Sequence, residues 1–135
     1  MTGNRLISIV DDDASARAAV AGLVRALGFA AVEFPGAAEF LGSDHVGRTA
    51  CLVADVRMPG MTGLGLYHHL VASGTAIPTV LMTAYPEETT RVSALKAGVG
   101  CYLGKPLDSD KLLDCIMAAL REPNTLTITT KELKP

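Results

Sequence analysis

The sequence predicts an α/β domain, a parallel sheet with helices on both faces, and three features carry that expectation. Short apolar runs, most of them rich in β-branched residues, alternate five times with longer segments whose apolar residues recur at helical spacing. Such alternation calls for parallel strands joined by right-handed crossovers. The chain has 135 residues, 49% apolar and 19% charged, the profile of one domain with an ample core and no need of a disulfide or metal to hold it.

The elements follow in order. Leu6-Ile7-Ser8-Ile9-Val10 reads as the first strand and stops at Asp11. Ala14 to Leu27 places Val20, Leu23, Val24 and Leu27 on one helical stripe, with Asp13 as N-cap and Gly28 closing the helix. Ala30 to Phe34 reads as a second strand and Gly36 to Leu41 as a short helix. Cys51-Leu52-Val53-Ala54 is a third apolar run, ended by Asp55, and Pro59, Gly60 and Gly63 mark the loop behind it. Leu66, Tyr67, Leu70 and Val71 suit the next helix. Thr79 to Met82 is a fourth strand, ending at Thr83. Pro86, Glu87 and Glu88 read as a first helical turn with Pro at its first position, and that helix is expected to bury Val92 and Leu95. Gly100 to Leu103 gives a fifth strand, and Ser109 to Arg121 carries Leu112, Leu113, Ile116, Met117 and Leu120 at helical spacing. Residues 1–121 make one domain on this reading, and 122–135 a polar tail or the start of a linker, on which Leu126 and Ile128 are the apolar residues able to dock.

Lys and Arg total 12 against 14 for Asp and Glu, a balance that argues against nucleic acid as a ligand of this chain. No apolar stretch approaches the ~18 residues of a membrane span. The N-terminus does not read as a secretory signal, because its apolar run is short and meets three aspartates. Cys51, Cys101 and Cys115 show no metal-ligand spacing and are expected to be reduced, mostly buried thiols of a cytoplasmic protein. His68 and His69 point about 100° apart on a helix and make poor co-ligands. With His45 they read as surface residues.

Polar residues fall at telling places. Asp11-Asp12-Asp13, Asp55, Thr83 and Lys105 each lie at or just past the C-terminal end of an expected strand, and in an open parallel sheet those ends share the edge where ligands bind. Clustered carboxylates repel one another in a partly desolvated crevice, so one keeps its proton or a cation neutralises them. An all-oxygen site suits Mg²⁺. A carboxylate beside such an ion, a lysine and a hydroxyl can receive a phosphoryl group.

The runs Val10-Asp11-Asp12-Asp13, Asp55-Val56-Arg57-Met58-Pro59-Gly60-Met61-Thr62-Gly63, Thr83-Ala84 and Lys105-Pro106 resemble those of the receiver domain of two-component response regulators. The resemblance extends from about Arg5 to Arg121 and is strongest to the FixJ-like branch, many of whose members carry a DNA-binding domain behind the receiver. It implies a flavodoxin-like doubly wound (βα)5 sandwich with strand order 2-1-3-4-5. It further implies Asp55 as the acceptor of a phosphoryl group from a sensor histidine kinase. Mg²⁺ (or Mn²⁺) would be bound by Asp11, Asp12, Asp55 and the Arg57 carbonyl. Thr83, the Ala84 amide and Lys105 would hold the phosphoryl group, with a cis peptide at Pro106. Thr83 and Tyr102 would form a switch acting through the fourth helix, fifth strand and fifth helix. The partners implied are the kinase, a downstream effector domain or protein and a phosphorylation-dependent homodimer, in the cytoplasm, without membrane or nucleic acid. The chain would be the receiver part of a transcriptional regulator or a stand-alone switch, not a turnover enzyme.

Two positions depart from that branch. Tyr85-Pro86 replaces the His-Gly-Asp often found there, and Cys101 stands where many members carry an acid. Two rival readings use similar parts. A phosphohydrolase of haloacid dehalogenase type also uses Asp, Mg²⁺, Thr and Lys, and Asp11 and Asp13 satisfy its DxD pair, but the Pro-Gly loop behind Asp55 belongs to receivers. A flavin-binding domain would need a Ser/Thr/Gly-rich phosphate loop where Asp11 to Asp13 stand.

Overall fold

In a computed structural model that describes residues 5–121, five parallel strands form one sheet. They are β1 (Leu6–Val10), β2 (Ala30–Phe34), β3 (Cys51–Asp55), β4 (Thr79–Thr83) and β5 (Cys101–Gly104). The helices between and after them are α1 (Ala14–Ala26), α2 (Ala37–Leu41), α3 (Gly63–Ala72), α4 (Glu88–Ala97) and α5 (Ser109–Arg121), with a single 3-10 turn at Val46–Arg48. Strand order is β2-β1-β3-β4-β5, the doubly wound order the sequence led us to expect. The tail 122–135, with Leu126 and Ile128, lies outside the described residues.

Strand alternation sorts the core into two halves. Ile7, Ile9, Cys51, Val53, Val80 and Met82 face one way and pack with Val20 and Val24 of α1 and Leu112 and Ile116 of α5. Val10, Leu52, Ala54 and Leu81 face the other way, against Phe40 of α2, Leu66 and Leu70 of α3 and Ala94 of α4. Phe40, Leu66, Leu81 and Ile116 are fully enclosed, each contributing roughly 1.5–3 kcal/mol over an exposed position. The buried hydroxyls are paired: Ser8 Oγ lies 2.7 Å from Thr49 Oγ1, and Thr79 Oγ1 donates to the Ile77 carbonyl at 2.8 Å. Asp13 caps α1, accepting from the Ser15 and Ala16 N–H groups.

Four expectations are corrected. Val92 and Leu95 of α4 are not buried, each being 38% exposed. The helix rests instead on Thr90, Ala94 and Ala97, an i, i+4, i+7 stripe whose small side chains let it approach the core. Its first residue is Glu88, with Glu87 at the N-cap position, so Pro86 precedes the helix rather than opening it. Val71 and Met117 are exposed at 47% and 42%, at the margins of apolar stripes whose centres are buried. Cys101 and Cys115 are joined as a disulfide, because the first residue of β5 and the middle of α5 face each other across one layer, and Cys51 alone is a free, buried thiol. His45 is half-buried, its ring edge-on to Phe34 at 5.7 Å; His68 and His69 are exposed.

Candidate functional site

Each group of the site is delivered by the end of a strand. Asp11, Asp55 and Lys105 continue the alternation of Ile9, Val53 and Leu103, so their side chains leave the sheet on the α1/α5 side, whereas Thr83 shares the parity of Leu81. Backbone hydrogen bonds carry the sheet past its formal edge: the N–H groups of Asp11, Val56 and Lys105 donate to the carbonyls of Phe34, Met82 and Thr83 at 3.1, 2.8 and 2.8 Å. The acidic groups and the lysine therefore stand on rigid backbone rather than on free loop.

Lys105 Nζ donates to Asp11 Oδ2 at 2.9 Å and to Asp55 Oδ2 at 3.3 Å. Asp11 is wholly buried and Asp55 nearly so, while Asp12 is exposed at the rim. Asp11 is further oriented by the Asp13 N–H, which donates to its Oδ1 at 3.0 Å. Burial first, and the charge of Asp11 second, hold the Asp55 carboxyl above its ordinary value; Lys105 and the Arg57 N–H pull it down without cancelling them. For Lys105 burial acts to lower the pKa, but the hydrogen bond and charge of Asp11, and then those of Asp55, outweigh it and the net shift is upward. Asp11, Asp12 and Asp55 bring carboxylate oxygens within 4.8 Å of one another. One ammonium cannot offset three such charges, and an oxygen-only donor set of this kind fits a hard divalent cation.

The loop behind Asp55 is shaped by packing as well as by its turn residues. Met58 is buried, and Gly63 begins α3 directly against the Asp55 backbone carbonyl. A Cβ at Gly63 would collide with that carbonyl and lie 2.9 Å from Leu81. Thr62 caps α3, accepting from the Gly65 N–H at 3.0 Å. On the outer side Arg57 reaches Glu87 at 3.4 Å and lies over the Tyr85 ring, 5.5 Å from its centre. Thr83 is buried and its Oγ1 accepts from the Tyr85 N–H at 3.1 Å, with Ala84 exposed between them. Tyr102 is half-buried against the α2/α3/α4 half of the core, and its hydroxyl accepts from the Glu87 N–H at 3.2 Å. The Lys105–Pro106 peptide is cis.

The structure thus brings together Asp11, Asp12, Asp55 and Lys105, with Thr83 on the adjoining strand end, and sets Tyr102 apart, on the other face of the sheet. The sequence profile of the response regulator receiver domain matches residues 7–117. The chain belongs to the response regulator receiver family. Its relatives include Nodulation protein W of Bradyrhizobium diazoefficiens, 36% identical over 114 residues, which cover 84% of this chain and 50% of that protein. Response regulator protein TodT of Pseudomonas putida is 35% identical over 86% of this chain and 51% of its own. The receiver spans about half the length of these relatives. Among solved structures, FixJ-N superposes with a TM-score of 0.81 at 30% identity, covering 90% of this chain and 98% of that one. The response regulator StyR gives 0.79 at 38% identity, covering 87% of this chain and 59% of its own. This is a receiver of two-component systems, in a family that serves signalling rather than turnover, and the phosphohydrolase reading finds no support. Among the described residues no helix is long and apolar enough to cross a membrane.

Two contributors to this receiver site escaped the sequence reading. Arg17 donates from Nη1 to the Asp11 carbonyl at 2.8 Å and directs Nε toward Glu33 at 3.4 Å, bracing the β1 terminus from α1. Glu87 gathers Arg57, Thr90 and Tyr102 around the head of α4. An arginine one turn into a helix that follows an acidic strand end is the only signal Arg17 offers, and it is a common one. Glu87 offers none, since two of its partners, Arg57 and Tyr102, come from distant segments.

Proposed function

We propose that residues 1–121 accept a phosphoryl group on Asp55 from a phosphohistidine of a sensor histidine kinase, and that the phosphorylated form switches protein contacts made by α4, β5 and α5. The observation that supports this best is the Lys105 ammonium bridging two buried carboxylates, Asp11 and Asp55, at the edge of a receiver sheet. An Asp55 carboxylate oxygen attacks the phosphorus, the P–N bond to the kinase imidazole breaks, and its electron pair stays on the imidazole nitrogen. Lys105 moves from pairing two carboxylates to pairing the phosphoryl group. The Thr83 hydroxyl and the Ala84 amide donate to its other oxygens. Asp11, Asp12, Asp55 and the Arg57 carbonyl are the groups that would hold Mg²⁺ or Mn²⁺. When bound, the ion offsets negative charge on the phosphoryl oxygens.

The phosphoaspartate is later hydrolysed on the same site, so the chemistry is self-phosphorylation and self-dephosphorylation without turnover of a free substrate. The partners are the kinase and a downstream effector, either a DNA-binding domain of the kind the FixJ-like relatives suggest or a separate protein. A phosphorylation-dependent homodimer is a further expected partner, and the exposed Val92 and Leu95 of α4 favour that face. The setting is cytoplasmic, where such kinases present their phosphohistidine. Residues 122–135 serve as tail or linker.

The test is labelling with a small phosphodonor and Mg²⁺. Wild type should take up one acid-stable, base-labile phosphoryl group, and Asp55→Asn should take up none. Full labelling of Asp55→Asn would remove Asp55 from this role.

A further inference from the structure

Two sulfurs lie where the phosphoryl chemistry has no use for them. Cys101 opens β5 on the α1/α5 side of the sheet, half-buried, and Cys115 lies buried in the middle of α5. They are bonded, with Cα atoms 6.2 Å apart, a spacing at which two cysteines are bridged or released without backbone movement. Both line a cavity of about 790 Å³ with Thr79, Gly100, Ala118 and Ala119 at the edge of the sheet opposite Asp55, so a small thiol can reach the sulfurs. Cys51 does not compete: it is enclosed in β3, and burial pushes its thiol up to about 12.

We propose that Cys101 and Cys115 form a reversible thiol–disulfide modification site whose oxidised form ties α5 to β5. The expectation of reversibility rests on the cytoplasmic setting proposed above, where disulfides are transient and redox-responsive rather than permanent. The oxidant is a low-molecular-weight disulfide of the glutathione class. The thiolate of Cys101, the more exposed of the two residues, attacks one sulfur of that disulfide and expels a thiolate, leaving a mixed disulfide. Cys115, as thiolate, attacks the Cys101 sulfur and expels the second. The two cysteine protons end on the two expelled thiolates, so two protein thiols are oxidised by two electrons as one disulfide becomes two thiols. Reduction runs the same steps in reverse. Tyr102, which touches the head of α4, is the next residue after Cys101, so the tie anchors the strand that carries it.

The test equilibrates the full chain anaerobically in graded mixtures of oxidised and reduced glutathione, quenches with acid, alkylates after denaturation and reads intact mass and peptide map. The most oxidising mixture should leave Cys51 as the one alkylatable cysteine, with the Cys101 and Cys115 peptides recovered as a linked pair. The most reducing mixture should leave all three cysteines of the sequence alkylatable. Amide exchange across Ser109–Arg121 should quicken roughly tenfold on reduction, as a closed-loop constraint is lifted. In Cys115→Ser it should not respond to the mixture. Three alkylatable cysteines at the most oxidising ratio, a bridge involving Cys51 or a second chain, or α5 exchange indifferent to redox state would each overturn the proposal. No phosphodonor enters the experiment, so its failure is distinguishable from failure of the Asp55 assignment.

Discussion

The hydroxyl of Tyr102 accepts a hydrogen bond from the backbone N–H of Glu87 at 3.2 Å, fastening the middle of β5 to the residue just before α4. That bond and the side-chain contacts at this helix head, Glu87 with Arg57 and with Thr90 and Glu88 with Arg91, are all exposed, and within α4 only Ala94 is fully buried. A helix held in this way has low local stability and is suited to two packings of similar free energy.

Replacing Tyr102 by Phe removes the acceptor and keeps the ring. Because the freed N–H can turn to water, global stability should fall by no more than about 1 kcal/mol. Amide exchange should quicken over residues 87–91 and stay unchanged in β1 and β3. Uniform acceleration through the sheet would show that the hydroxyl supports the whole fold rather than this helix.

Thr83 supplies the second link to α4, since its buried hydroxyl holds the Tyr85 N–H. Phosphorylation of Asp55 adds up to about two negative charges and strong acceptor oxygens beside it, and the hydroxyl is expected to turn toward them. In wild type, phosphorylation should then alter exchange mainly in Ala84 to Ala97 and near Tyr102. Thr83→Ala should still be labelled on Asp55 but lose that response. A response confined to α1 and α2, or an unaltered one in Thr83→Ala, would rule out this route.

The raised pKa of Asp55 has a stability consequence with a definite sign. A carboxyl that is harder to ionise in the folded state than in the unfolded chain costs the fold nothing below its ordinary value of 3.8. It destabilises as the pH climbs through the raised value. In metal-free solution at about pH 7, Asp55→Asn should therefore be more stable than wild type, and the difference should close on acidification. Urea melts across this range measure it; a less stable Asp55→Asn at neutral pH would contradict the assigned desolvation and repulsion. Lys105 works oppositely, because its raised pKa contributes stability that is complete below 10.5 and is lost as the pH rises through the raised value.

Asp12 offers the cleanest probe of the cation. It is exposed, so Asp12→Ala should change metal-free stability by no more than about 0.5 kcal/mol. Mg²⁺ affinity, measured by calorimetric titration, should fall at least roughly tenfold, which corresponds to about 1.4 kcal/mol. Unchanged affinity would move the ion to other ligands.

The sheet and its polar edge were readable because both follow from local pattern. Short apolar runs end at Asp11, Asp55 and Thr83, and a parallel sheet puts such ends together whatever separates them in sequence. The face of α4 was not readable, because its large side chains, Val92 and Leu95, lie away from the core while alanines make the contact, reversing the usual reading of size as burial. The Cys101–Cys115 pair was not readable either. It depends on one helix lying over one strand, and sequence distance carries no record of that. Arg57 and Tyr85 were visible in and beside the motif runs, but their stacking depends on two loops meeting, and the part of Glu87 on β5 joining them.

The origin of the site's groups also sets a timetable for the newborn protein. Asp11 comes from the end of β1, Asp55 from β3, Thr83 from β4 and Lys105 from just beyond β5, and β1 lies between β2, its neighbour in sequence, and β3, which is synthesised later. A ribosome that has released β1 through β4 has exposed Asp55, the acceptor proposed above, but not Lys105, and the Asp11 and Asp55 carboxylates then lack their shared ammonium. On the proposed function, competence to accept a phosphoryl group should therefore arrive late and at once, when Lys105 follows the last strand into place. A truncated or stalled chain that ends before Lys105 should be silent to the kinase rather than weakly active.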